Sequence, residues 1–170
     1  SFCNIGLQLD LSKYSDTAKE LLFNSALPGK DISYNKSSFA LDNNATSSDR
    51  MMTAMGQGET LVSPYHMALI TSAVANGGRL MEPYLVEEVT NYSGTIVEET
   101  DPESYGQLMT SEEAAQLKAY MQKVTDYGTG SVFAGSGFSV AGKTGTAEYS
   151  DGDSSKNHSW FVGFTNVDNP

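Results

Sequence analysis

An α/β fold of the α+β kind, with helices packed on part of an antiparallel sheet, is predicted by three observations. Two segments carry complete helix-start signals: Ser63-Pro64 ahead of one apolar run, and the capping box Thr110-Ser111-Glu112-Glu113 ahead of another. Near the end, Phe138, Val140, Thr144 and Thr146, then Trp160, Val162 and Phe164, recur at even spacing, the period of a half-buried strand. Two β-type runs flank Asn91-Tyr92-Ser93-Gly94, which suits a hairpin. At 170 residues the chain can bury one sizeable core, and one domain is expected.

In chain order, residues 13–24 place Tyr14, Ala18, Leu21 and Leu22 at helical spacing behind Ser12 as N-cap. From Pro28 to Glu59 periodicity disappears and Ser, Asn, Asp and Gly dominate, so a long surface excursion is expected, with Gln57-Gly58 shaping a turn near the site. The helix opened by Ser63-Pro64 puts Met67, Ile70 and Val74 on one face, leaves His66 on a solvated one, and stops at Asn76-Gly77-Gly78. Leu85–Val89 and Thr95–Glu98 form the hairpin strands. Ala114, Leu117, Met121 and Val124 continue the second helix until Gly128. The final strands run through residues 139–147 and around Trp160, joined by the polar turn YSDGDSSKN, and a further strand is expected after Asp168-Asn169-Pro170.

Composition removes several function classes. Ten Lys+Arg against 21 Asp+Glu give a net charge of -11, which repels nucleic acid. No run of about 18 apolar residues supplies a membrane span, and SFCNIGLQLD has no basic leader, so any anchor is expected upstream. Cys3 is the only cysteine and there are two histidines, so neither an intrachain disulfide nor a zinc site is expected, and no cofactor is required. Cys3, beside Phe2 and Ile5, reads as a small buried hydrophobe.

The segment GFSVAGKTGTAEYS carries two incompatible motifs. From Gly137 it satisfies the phosphate-loop pattern G-x-x-x-x-G-K-[ST], and from Lys143 it contains K-T-G. A phosphate loop must feed directly into a helix whose N-terminus meets the anion. Here Gly145 follows Thr144, the acidic turn Asp151-Gly152-Asp153 comes next, and Phe138–Ala141 alternate like a strand. On a strand, period two sets Thr144 and Thr146 on one face, where two hydroxyls can hold a carboxylate. Gly145 lets a substrate backbone lie close, Lys143 can reach round to bias proton transfer at a nearby serine, and the N–H after Gly145 can serve an oxyanion.

VAGKTGTAE, HSWFVGF, and GQGETLVSPYHMALITSAVANGG followed by Pro83 together resemble the C-terminal half of a penicillin-binding protein transpeptidase domain, of the monofunctional type. Gly128-Thr129-Gly130 lies between the second helix and the K-T-G strand, as the resemblance implies. Such proteins are serine acyltransferases bearing S-x-x-K, S-x-N and K-T-G in that order. Only the third motif is convincing here, and SFCNIGLQLD resembles the segment that follows S-x-N. The resemblance therefore implies that residues 1–170 are a partial domain, lacking the N-terminal part with S-x-x-K and S-x-N and a final strand and helix. Ser33-Tyr34-Asn35-Lys36 satisfies S-x-x-K formally, yet it sits in aperiodic sequence where no helix start holds serine against lysine.

At matched positions the resemblance implies catalytic roles for Lys143 and Thr146 and substrate binding by Thr144, Gly145 and Thr146, with Trp160 packing and His158 a polar strand-end residue. It implies a peptidoglycan D,D-transpeptidase of cell division or shape, extracytoplasmic and membrane-anchored through a segment outside this chain. Implied partners are peptidoglycan stem peptides, β-lactam antibiotics and other cell-wall synthesis proteins. The segment alone is expected to be inactive, and a β-lactam sensor or inactive homologue is the alternative.

Overall fold

The structure, a computed structural model, describes residues 10–41, 44–149 and 156–170. Cys3, the segment before Asp10 and the Asp151–Asp153 turn lie outside these residues.

Helix α1 (Leu11–Glu20) starts two residues earlier than Ser12 predicted, because Asp10 is the N-cap and its carboxylate accepts the Ser12 N–H at 3.2 Å. Leu21 and Leu22 fall just past its end and pack against the core. The excursion over 28–59 contains a helix the periodicity did not announce, α2 (Ser47–Ala54). Its signal is local: Thr46 and Asp49 form a capping box, and the Asp49 carboxylate is held below its ordinary pKa chiefly by the Thr46 backbone N–H. No residue of α2 is buried, so it lacks the apolar stripe by which helices are found.

Helix α3 (Pro64–Ala75) begins as predicted, with the Ser63 hydroxyl accepting from the His66 N–H at 3.2 Å. The stop is also as read: the Gly78 N–H closes on Ala73 O at 2.7 Å. Helix α3 is the centre of the core, where Leu69 and Ala73 meet Leu27, Leu80 and Leu108, with Tyr34 and Tyr65 stacked against them. Its buried side differs from the expected one. His66 is 0% exposed, its Nε2–H donates to Leu21 O at 2.6 Å, its ring lies 4.7 Å from Phe23, and Nδ1 is buried without a partner among the described residues.

Strand β1 (Arg79–Met81) then pairs antiparallel with β4 (Ser104–Gln107), a ladder the sequence reading did not contain. Between them, β2 (Glu88–Thr90) and β3 (Ile96–Glu99) make the expected hairpin, though its first strand starts at Glu88 rather than Leu85, and both faces are exposed. Helix α4 (Ser111–Tyr127) follows its capping box, with Ala114 and Thr125 buried, and a short 3-10 turn covers Ser131–Phe133.

The last two strands are the longest. β5 (Val140–Glu148) and β6 (Asn157–Thr165) pair antiparallel over their whole length, from Val140 opposite Thr165 to Glu148 opposite Asn157. Gly142 and Gly163 face each other, and the Phe161 ring lies over Gly142 and meets Phe133 at 4.8 Å. A Cβ at Gly142 would collide with that ring.

Two outcomes follow. Burial lowers the His66 pKa from its ordinary 6.5, opposed by the bond to Leu21. The unfolded chain therefore takes the proton at higher pH than the folded one, so stability falls as pH drops below about 6.5. Urea midpoints between pH 7 and pH 5 should show that loss, and His66→Gln, which stays neutral, should reduce it. Gly142→Ala should cost about 1–3 kcal/mol in chemical denaturation, since Phe161 must leave its site.

Candidate functional site

The site is built on one edge of β5. Helix α4 anchors the strand's beginning: the Thr125 hydroxyl donates to Val140 O at 2.5 Å, and Lys118 Nζ donates to Val167 O at 2.9 Å beyond the end of β6. Val140 and Ala141 are buried under this helix, whereas Lys143, Gly145 and Thr146 are exposed. The strand thus runs from core to surface.

In an antiparallel strand a residue's N–H and C=O point to the same side, and successive residues alternate sides. The Asn166 N–H donates to Ser139 O and the Tyr149 N–H to Lys156 O, so the odd-numbered residues of β5 face β6. The backbone groups of Thr144, Thr146 and Glu148 therefore face the other way, along an edge where no strand is paired among the described residues.

That edge is dressed by side chains from three places. Lys143 Nζ turns round its own strand and donates to Thr144 O. Gln57, from the loop after α2, donates through Nε2 to Thr146 O at 2.8 Å and receives the Glu148 N–H on Oε1 at 3.4 Å. The Thr129 hydroxyl lies 2.6 Å from that of Thr144, bringing Gly128-Thr129-Gly130 onto the K-T-G strand. Thr144 and Thr146 share one face, and Lys143 and Gly145 share the other, where Gly145 lies opposite Trp160.

The four residues singled out from sequence, Lys143, Thr144, Gly145 and Thr146, thus lie together on β5, and no helix begins within three residues of Thr144. Trp160 is half-buried and lines, with Ala68, Thr71, Val162 and Phe164, a cleft of about 640 Å³ between α3 and β6. His158 is exposed near the start of β6 and stacks on Tyr149 at 4.6 Å. Ser33–Lys36 lies in neither a helix nor a strand; Tyr34 hydrogen-bonds the backbone of Leu27.

Two site residues were given no role at the strand edge by sequence reasoning. Thr129 was seen only within Gly-Thr-Gly, and Gln57 only as part of a turn. The signal for Gln57 is its setting. The Gly56 N–H bonds Thr53 O at 3.0 Å and the Gln57 N–H bonds Met52 O at 2.9 Å, a Schellman closure of α2. It needs Gly56 at φ +79°. This closure fixes the Gln57 backbone and aims its amide across the strand edge.

Known proteins resemble this chain in sequence and fold. Stage V sporulation protein D of Bacillus subtilis is 32% identical over 126 residues, covering 72% of this chain and 19% of that protein. The peptidoglycan D,D-transpeptidase PbpA of Mycolicibacterium smegmatis is 30% identical over 123 residues, covering 70% of this chain and 24% of that protein. Among solved structures, the D,D-transpeptidase domain of a peptidoglycan glycosyltransferase from Eggerthella lenta superposes with a TM-score of 0.83 at 28% identity, covering 99% of this chain and 43% of that one. The imipenem acyl-enzyme of penicillin-binding protein A from M. tuberculosis gives a TM-score of 0.79 at 25% identity, covering 99% and 38%. The chain thus spans about a fifth to a quarter of the length of these curated relatives. The family described as the penicillin binding protein transpeptidase domain matches residues 1–170, every residue from α1 to the end of β6 included, and the chain belongs to that family.

Proposed function

We propose that this chain forms the K-T-G wall of a serine D,D-transpeptidase site that cross-links peptidoglycan stem peptides and is acylated by β-lactams. The observation that carries the reading is the free edge of β5, where the Thr146 N–H, two threonine hydroxyls on one face and the Lys143 ammonium converge. Among its relatives, PbpA of M. smegmatis is a peptidoglycan D,D-transpeptidase, and the M. tuberculosis protein forms an acyl-enzyme with imipenem.

Each group has a place in the reaction. The serine Oγ attacks the carbonyl carbon of the penultimate D-alanine, its proton passes to a base, and negative charge collects on the carbonyl oxygen. The Thr146 N–H stabilises that oxygen, and the Thr144 and Thr146 hydroxyls bind the terminal carboxylate. The C–N bond then breaks and terminal D-alanine leaves with a proton on its nitrogen. An amine of a neighbouring stem attacks the acyl-enzyme, forming the cross-link and freeing the serine. Lys143 supplies positive charge that favours proton movement at the serine of S-x-N. Ser33–Lys36 has no helical turn to hold its lysine against its serine, so the S-x-x-K nucleophile and S-x-N come from polypeptide outside residues 1–170, and these residues are one part of the transpeptidase domain. The substrate places the reaction outside the cytoplasmic membrane, with the anchor also outside these residues.

In the full-length protein, Thr146→Val should slow β-lactam acylation roughly ten- to hundredfold, the loss of a charge-assisted hydrogen bond worth about 1.5–3 kcal/mol. Ser33→Ala should change it by less than about 0.5 kcal/mol. Equal effects, read as second-order acylation rates, would put the site elsewhere. Incubated alone with penicillin G, the present chain should show no stoichiometric increase in intact mass; an adduct on Ser33 would make that serine the nucleophile.

A further inference from the structure

The edge of β5 is free of strands but not of hydrogen bonds. A single side-chain amide, Gln57, holds Thr146 O as donor at 2.8 Å and Glu148 N–H as acceptor at 3.4 Å, the groups an added backbone would use. The turn that presents it is fixed by the Schellman closure of α2, and the contact spans 89 residues of sequence.

We propose that Gln57 is a specificity-determining residue: a displaceable cap on the catalytic strand that competes with the acyl donor's own amide N–H for Thr146 O. The inference rests on the transpeptidase reading above. Both backbone groups of Thr146 face the free edge. A donor whose reacting carbonyl sits on the Thr146 N–H, and which pairs antiparallel, brings its own N–H to Thr146 O. That is the bond Gln57 holds. Donors with such an N–H must push the Gln57 amide aside, and donors without one leave it in place. The second bond of the cap is long, and Gln57 is only half-buried, so its displacement is a modest barrier rather than a block.

Two β-lactams separate the cases. Penicillin G carries an acylamino N–H beside its lactam carbonyl, whereas imipenem carries a hydroxyethyl group there. In the full-length protein, Gln57→Ala should raise the second-order acylation rate by penicillin G roughly three- to tenfold and leave that by imipenem within twofold. Gln57→Met, which keeps the chain length and loses the donor, should do the same, which separates the effect from a disturbed turn. Crystal structures of the two wild-type adducts should show Gln57 Nε2 off Thr146 O with penicillin G and on it with imipenem. Parallel slowing of both drugs in both variants, an unchanged ratio of the two rates, or a retained Gln57–Thr146 bond in the penicillin adduct would overturn the proposal while leaving the transpeptidase reading intact. A wild-type protein that neither drug acylates would overturn both.

Discussion

The register between β5 and β6 is the constraint on which the rest of this structure depends. Because strand side chains alternate with period two, a slip by one residue would turn Thr144 and Thr146 to the face of Lys143 and point the Thr146 backbone into the ladder. Two features hold the register. Gly142 lies opposite Gly163 with the Phe161 ring across the pair, a fit that no residue with a Cβ at 142 allows without rearrangement. Helix α4 pins the strand's beginning through Thr125 and the segment after β6 through Lys118. The exposed half of β5 is thus an overhang from a buried half, and its chemistry inherits its geometry from packing several residues away.

Much of this was readable in the sequence because the signals are local. The T-x-x-E box of α4, the Ser-Pro start of α3, the Asn-Gly-Gly stop and the even spacing of the last strands each concern neighbours within a few positions. Where expectation and structure part, the deciding interaction is distant or the pattern incomplete. Helix α2 has a capping box but no buried face, so the usual apolar stripe is missing. His66 looks like a surface position by composition, yet it is buried where Leu21 and Phe23, 45 and 43 positions earlier by number, meet it. The β1–β4 ladder joins short runs too far apart to show a shared period.

The site divides along the same line. Lys143, Thr144, Gly145 and Thr146 are consecutive, so strand alternation alone assigns their faces. Thr129 and Gln57 reach β5 from separate loops, and no spacing rule connects them to it. What the sequence does carry for Gln57 is glycine on both sides, a mark of backbone geometry whose purpose is visible only when the partner strand is in view.

The hairpin of β2 and β3 shows a different balance of forces. Its residues are exposed on both faces, and Val89, Ile96 and Val97 are β-formers of the kind that recruit further strands. Yet Glu88 stands directly opposite Glu99, and Glu98 opposite Val89. Like charges set across a ladder weaken it. They also repel any second copy that would add its own edge to this one, as acidic gatekeepers do in aggregation-prone strands. The hairpin gives up part of its own stability and, in return, its edge becomes a poor template for a further strand.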